Sequence, residues 1–364
     1  MPLLTTTIGA YPKPEYVRLP DWFRHPQGPD ATNPTQGWAE AMAALGDDAV
    51  AIIARGVGEA IDDQIRAGID IPTDGEIARE DYIHYHCRHL DGVNFDRLEE
   101  KALRNDTYRA WLPTIDGPVR AGAPFLPADY RRAQACTDRP VKITMPGPMT
   151  ISDTTVDVHY GDARVLGRDL AAALNREVLA LADAGCRHIQ IDEPLFARKP
   201  GAALDYGFEN LERAFHGCPE HVVRTVHMCC GYPDRLDRTD YPKADPDSYF
   251  RLADAIEDSA IDAISIEDAH RPNDLSLLER FRATTVILGV VAIAKSRVED
   301  TGEIAERLGA ALDHIDAHRL VAAPDCGLGL LGRDLARSKL ANLCRAARGV
   351  GGDRNRDLAQ RSDK

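Results

Sequence analysis

The segment Val226-His227-Met228-Cys229-Cys230-Gly231 sets an imidazole and a thiol two residues apart. A run of β-favouring residues (Val222, Val223, Thr225, Val226) leads into it and Gly231-Tyr232-Pro233 ends it, so residues 222–230 are expected to form a short buried strand closed by a turn. Side chains alternate across a strand, which places His227 and Cys229 on one face and Cys230 on the other. An imidazole and a thiolate side by side suit a soft divalent metal, but a bare His-x-Cys is more often ordinary core, and two ligands do not complete a zinc site. The missing ligands must come from elsewhere. Glu267 and Cys326 are the candidates, each just past a short apolar run (263–266 and 320–323). Taken singly, Glu267 reads equally well as a helix-capping carboxylate and Cys326 as a packed core thiol. With His227 and Cys229 they make two thiolates, one imidazole and one carboxylate, a fitting set for Zn²⁺.

That donor set selects a chemistry. Zn²⁺ with two thiolates and a carboxylate carries a net charge of about −1, which makes it a poor Lewis acid for a carbonyl; metal-hydroxide hydrolysis would favour neutral histidines. It suits an incoming thiol that replaces the weak carboxylate ligand and loses its proton. The metal lowers the thiol's pKa, while the electron-rich ligands keep its sulfur nucleophilic. The expected reaction is S-alkylation, with Glu267 as the displaceable ligand and hence a catalytic residue.

Such ligands converge only if the chain brings several strand ends together. Short β-rich runs are predicted at 5–9, 69–73, 141–145, 188–191, 222–230, 263–266, 286–292 and 320–323, with amphipathic helical spacing between most of them, as at 47–67, 163–184, 301–317 and 332–347. Eight strands alternating with helices are the pattern of parallel βαβ units, and eight of them suit a closed (β/α)₈ (TIM) barrel in residues 1–348. A doubly wound open sheet is the alternative, weakened because no Gly-x-Gly-x-x-Gly follows a strand. The gap between the second and third strands is too long for one loop, so a helix plus an inserted segment is expected at about 80–138. A proline- and glycine-rich stretch to about Pro34 reads as an N-terminal arm or lid, and 349–364 as a loose charged tail. In a barrel, catalytic groups sit at the C-terminal ends of the strands, where this chain places Glu76, Asp192, His227 with Cys229, Glu267 and Cys326.

Composition narrows the partners. The 364 residues are 44% hydrophobic, enough for a large core, and no apolar run approaches a membrane span. A formal charge of −14 argues against nucleic acid or an anionic membrane surface. Eight cysteines are too few for a disulfide scaffold, and no export signal is read at the start, so a cytoplasmic protein is expected.

Seven segments resemble the catalytic barrel of cobalamin-independent methionine synthase, in that family's order. They are Thr-Thr-Thr-Ile-Gly-Ala-Tyr-Pro (5–12), Asp-Gly-Glu-Ile-Ala-Arg-Glu-Asp (74–81), Pro-Gly-Pro-Met-Thr-Ile (146–151), Ile-Gln-Ile-Asp-Glu-Pro (189–194), His-Met-Cys (227–229), Ile-Glu (266–267) and Pro-Asp-Cys-Gly-Leu (324–328). The resemblance implies zinc on His227, Cys229, Glu267 and Cys326. It also implies that Glu76 and Asp192 bind the ammonium group of homocysteine, with Gly9 and Ala10 beside its carboxylate. Two carboxylates are sensible there, because a buried ammonium must be paired.

The departures lie on the other substrate. Where the folate enzymes of the family carry a serine after Ile-Gly, this chain has Ala10; where they carry a tryptophan for the pterin it reads Ser152-Asp153-Thr154-Thr155; and where they carry Asp-Ile-His it reads Ala292-Ile293-Ala294. With the extra segment at about 231–247, these features resemble the short members of the superfamily. Some of those are methionine synthases with a non-folate or corrinoid-protein methyl donor, and others are epoxyalkane:coenzyme M transferases. Methyl transfer to homocysteine is the leading expectation and epoxide opening by coenzyme M the alternative; a non-catalytic zinc-binding barrel is the third reading. The partners implied are a small-molecule thiol, an alkyl donor and, for the corrinoid-type members, a corrinoid protein.

Overall fold

The computed structural model describes residues 2–24, 35, 37–103, 108–231 and 233–362, with 108 and 351–362 described by backbone alone. Its strands are β1 Leu4–Thr5, β2 Leu90–Leu103, β3 Tyr108–Ala121, β4 Lys142–Pro146, β5 Val156–Asp157, β6 His188–Asp192, β7 Val223–Met228, β8 Ala263–Glu267, β9 Thr285–Val291 and β10 Leu320–Pro324. Seven of them form one curled sheet in the order β1-β10-β9-β8-β7-β6-β4, and every pairing in it is parallel. Helices such as Ala49–Ala67, Ala163–Asp183, Phe208–Phe215, Ser248–Glu257 and Thr301–Ala311 connect the strands. The α/β alternation read from the sequence is therefore present.

The segment predicted as the second strand, 69–73, forms no ladder of its own. It makes one bridge to each outer strand region, Thr6 with Ile71 and Thr73 with Lys142. The buried Gln64 side chain takes over part of the pairing: its Oε1 accepts from Thr73 N–H and Thr7 Oγ1, and its Nε2 donates to the Thr73 carbonyl. Pro72, lacking an N–H, cannot extend a ladder here.

Strand alternation separates structure from chemistry. One face of each strand joins the main core beneath the helices, through Ile143 and Met145, Ile189 and Ile191, Ile264 and Ile266. The other face carries Thr144, Gln190, Asp192, Thr225, His227, Ser265 and Glu267 among small apolar residues such as Ala263, Ile287 and Val321. Register then aligns the polar ends: Asp192 lies opposite His227, and His227 opposite Ser265.

The long gap before β4, where the sequence suggests a helix plus an inserted piece, holds a β-hairpin followed by the helix Leu126–Gln134. β2 and β3 pair antiparallel, with register shifts between Asp91 and Val93 and between Asn94 and Leu98, and β5 adds a third strand. Among the described residues of this stretch, Leu126–Gln134 is the only helix longer than one turn. Lys101 fastens the hairpin to the body by donating to the Ser152 and Thr155 carbonyls at 3.2 and 2.9 Å. Residues 11–24 of the arm are described, whereas 25–34 lie outside the described residues. The last helix runs Arg333–Ser362, continuing through the span read as a loose tail. Among the described residues no helix is long and apolar enough to cross a membrane.

Candidate metal and thiol site

His227 is the next-to-last residue of β7, Cys229 follows directly on the end of β7, and Cys326 lies two residues past the end of β10. One ligand-type atom from each of the three lies within 4.8 Å of the others, and all three residues are buried. His227 Nδ1 is 2.9 Å from Ser265 Oγ, while its Nε2 is buried with no hydrogen-bond partner. An orphaned imidazole nitrogen is costly unless something outside the chain completes it. The thiols are electronically linked. A hydrogen bond from Cys326 pulls the Cys229 pKa well below the usual thiol range against the cost of burial, with His227 helping; the same bond, and burial, push Cys326 up. Burial opposes a charged His227, but the Cys229 sulfur outweighs it and raises the imidazole pKa. One imidazole lone pair beside two thiols, one already favouring the thiolate, fits a thiophilic cation such as zinc.

A cavity opens onto this cluster, lined in part by Gly9, Ala10, Glu76, Asp192, His227, Cys229 and Cys326. Glu76 adopts φ 55, a left-handed conformation that non-glycine residues hold only under constraint. Its Oε1 accepts from Thr144 Oγ1 at 2.7 Å and from the fully buried Arg79 at 3.3 Å. Gly9 makes room for it, since a Cβ there would sit 2.6 Å from that oxygen. Asp192 Oδ1 accepts from Gln190 at 2.7 Å; burial, with Glu76 adding to it and His227 opposing, pushes its carboxyl up to about 7. The neighbouring Glu193 is structural, accepting from the Met149 and Thr150 amides at the start of the helix Pro148–Asp153.

Glu267 stands apart from the other three proposed ligands. It is 2% exposed, but its Oε2 accepts from the Cys230 N–H at 2.9 Å and its Oε1 from Lys243 Nζ. It does not line the cavity.

Several residues at the site went unassigned from sequence. Trp22, Phe23 and Tyr82 wall the cavity, with Trp22 ring centres 4.9 Å from Phe23 and 5.6 Å from Tyr82. Tyr82 directly follows the Asp-Gly-Glu segment, and the Trp-Phe pair sits inside the arm, so both had a positional signal. Asp325 is the other omission: buried, it accepts from the amides of Asp268, Ala269 and His270 at 2.7–2.9 Å, binding the Glu267 loop to the Cys326 loop.

Comparison with known proteins identifies the family. The family model described as the cobalamin-independent synthase catalytic domain matches residues 3–349. The methionine synthase of Saccharolobus solfataricus is 29% identical over 349 residues, covering 94% of this chain and 93% of that protein. The methionine synthase of Thermococcus kodakarensis is 28% identical over 356 residues, covering 94% and 92%. Among solved structures, a B12-independent methionine synthase from Shewanella sp. W3-18-1 in complex with selenomethionine superposes with a TM-score of 0.85 at 30% identity, covering 99% of this chain and all of that one. With a match that runs nearly end to end, the chain belongs to the family of cobalamin-independent synthase catalytic domains.

Proposed function

We propose that this protein methylates the sulfur of homocysteine to give methionine, using zinc held by His227, Cys229 and Cys326. The observation that carries the reading is the unpartnered His227 Nε2 beside two thiols at the floor of a cavity that also holds Asp192 and Glu76. Zinc there lowers the pKa of a thiol that joins it and leaves the sulfur nucleophilic. The remaining work falls to the chain. Asp192 and Glu76 take the substrate ammonium, Gly9 and Ala10 border its carboxylate, and Glu267, paired with Lys243, leaves the fourth metal position to the thiol. Trp22, Phe23 and Tyr82 keep water from the sulfur. A relative of equal length that binds selenomethionine, the selenium analogue of methionine, supports this product.

The donor is the altered half. Ala292-Ile293-Ala294 is buried and apolar, and offers no proton to a departing folate nitrogen; we read the donor as something other than methyltetrahydrofolate alone. The bridges flanking 71–73 support a closed eight-position barrel, and the eight free cysteines support a reducing, cytoplasmic setting.

Calorimetry on the zinc-loaded protein tests the substrate. Homocysteine should bind at least about a hundredfold more tightly than 2-mercaptoethanesulfonate, which has no ammonium to pair. Equal affinities, or a preference for the sulfonate, would remove homocysteine as the substrate.

A further inference from the structure

The carboxylate expected among the zinc ligands is held by a cation from the segment that follows β7. Lys243 Nζ donates to Glu267 Oε1 and, at 3.0 Å, to the Gly231 carbonyl, and it lies 5.3 Å from the centre of the Tyr241 ring. The Ala244 N–H donates back to the Cys230 carbonyl at 2.9 Å, which folds this segment onto the strand end it leaves. The ion pair is shielded, with side chains 15% and 2% exposed for Lys243 and Glu267. A carboxylate so enclosed needs a cation. Two are within its reach in this reading: Lys243, and a metal on the adjacent His227, Cys229 and Cys326.

We infer that Lys243 is the resting counter-ion of Glu267, drawing the carboxylate off the metal so that the fourth position stands open for the substrate thiol. The inference rests on the zinc reading above. Lys243 is a positioning residue: it acts through Glu267 and contacts neither thiol nor metal. Without it, the Glu267 charge is left with the metal as its partner, and the site closes with four protein ligands. Zinc then binds more tightly and the thiol less tightly. Any nearby cation also repels zinc directly, so the test must separate that general effect from the route through Glu267.

Zinc affinity of the full-length protein, measured by competition with a chromogenic chelator, makes the separation. K243M should bind zinc about tenfold more tightly than wild type, and K243R should stay within about twofold. In an E267Q background the K243M gain should vanish. Homocysteine affinity of zinc-loaded K243M should fall. An unchanged or weaker zinc affinity in a K243M protein that melts cooperatively overturns the inference, as does an undiminished gain in the E267Q background. K243Q carries the same neutral test if K243M does not fold. A wild-type protein that binds no zinc at all is a different outcome, and it defeats the metal reading itself.

Discussion

On the thiol side of the pocket, buried groups are fixed by one another. His227 is oriented by Ser265, Glu76 by Thr144 and Arg79, Asp192 by Gln190, and the Glu267 and Cys326 loops are joined through Asp325. Around 152–155, where the resemblance places the donor, the construction differs. A wider cleft is lined by residues of the β2–β3 hairpin with Asp153, Arg198, Lys199 and Lys243. Its Lys199–Asp153 pair, at 2.6 Å, has the lysine half exposed. Preorganisation is worth most where a charge must be desolvated and a sulfur aimed. The contrast teaches that the groups around His227 are held by buried partners, whereas the cleft around Asp153 is held by a partly exposed ion pair.

The sharpest way to break that contrast is to remove the metal ligands. Cys229→Ser and Cys326→Ser should each lose zinc and all methyl transfer, yet melt cooperatively, because a core of this size does not depend on one ion. Metal analysis and calorimetric melting check both halves; full zinc in both variants would take these thiols off the site.

Next come the carboxylates. Breaking a desolvated ion pair costs on the order of 3–5 kcal/mol, so Asp192→Asn should weaken homocysteine binding by roughly hundreds- to thousands-fold while zinc stays in place. Glu76→Gln should cost less, since Arg79 already neutralises part of its charge. Titration calorimetry ranks the two, and an equal or reversed order would show that Arg79 does not matter. The smallest effect belongs to the donor side. Asp153→Asn breaks a half-exposed pair, and should leave zinc and homocysteine affinities within about twofold while altering methyl-transfer rates. A large loss of thiol affinity there would merge the two sides.

The parallel strands and the residues at their ends were legible because buried strands carry dense β-branched runs and stop at polar residues. The hairpin was not. Its outward residues, among them Arg97, Glu99, Glu100 and Arg109, blur the two-residue period, and Pro113, Gly117 and Pro118 read as breakers although register shifts accommodate strand irregularity here. The cluster of His227, Cys229 and Cys326 could be proposed from one motif and the strand pattern, whereas the Glu267–Lys243 pair could not. Residue spacing does not say which of two cations a carboxylate will face. The aromatic wall carried a positional signal alone, because Trp22 and Phe23 reach the pocket from a proline-rich stretch with no periodicity.

The central claim is that His227, Cys229 and Cys326 hold a zinc ion to which the substrate thiol adds. Zinc K-edge absorption of the purified protein, with and without homocysteine, tests it most directly. One zinc per chain with two sulfur ligands is expected, rising to three when homocysteine is added. A protein without zinc, or a sulfur count that homocysteine leaves at two, would contradict it.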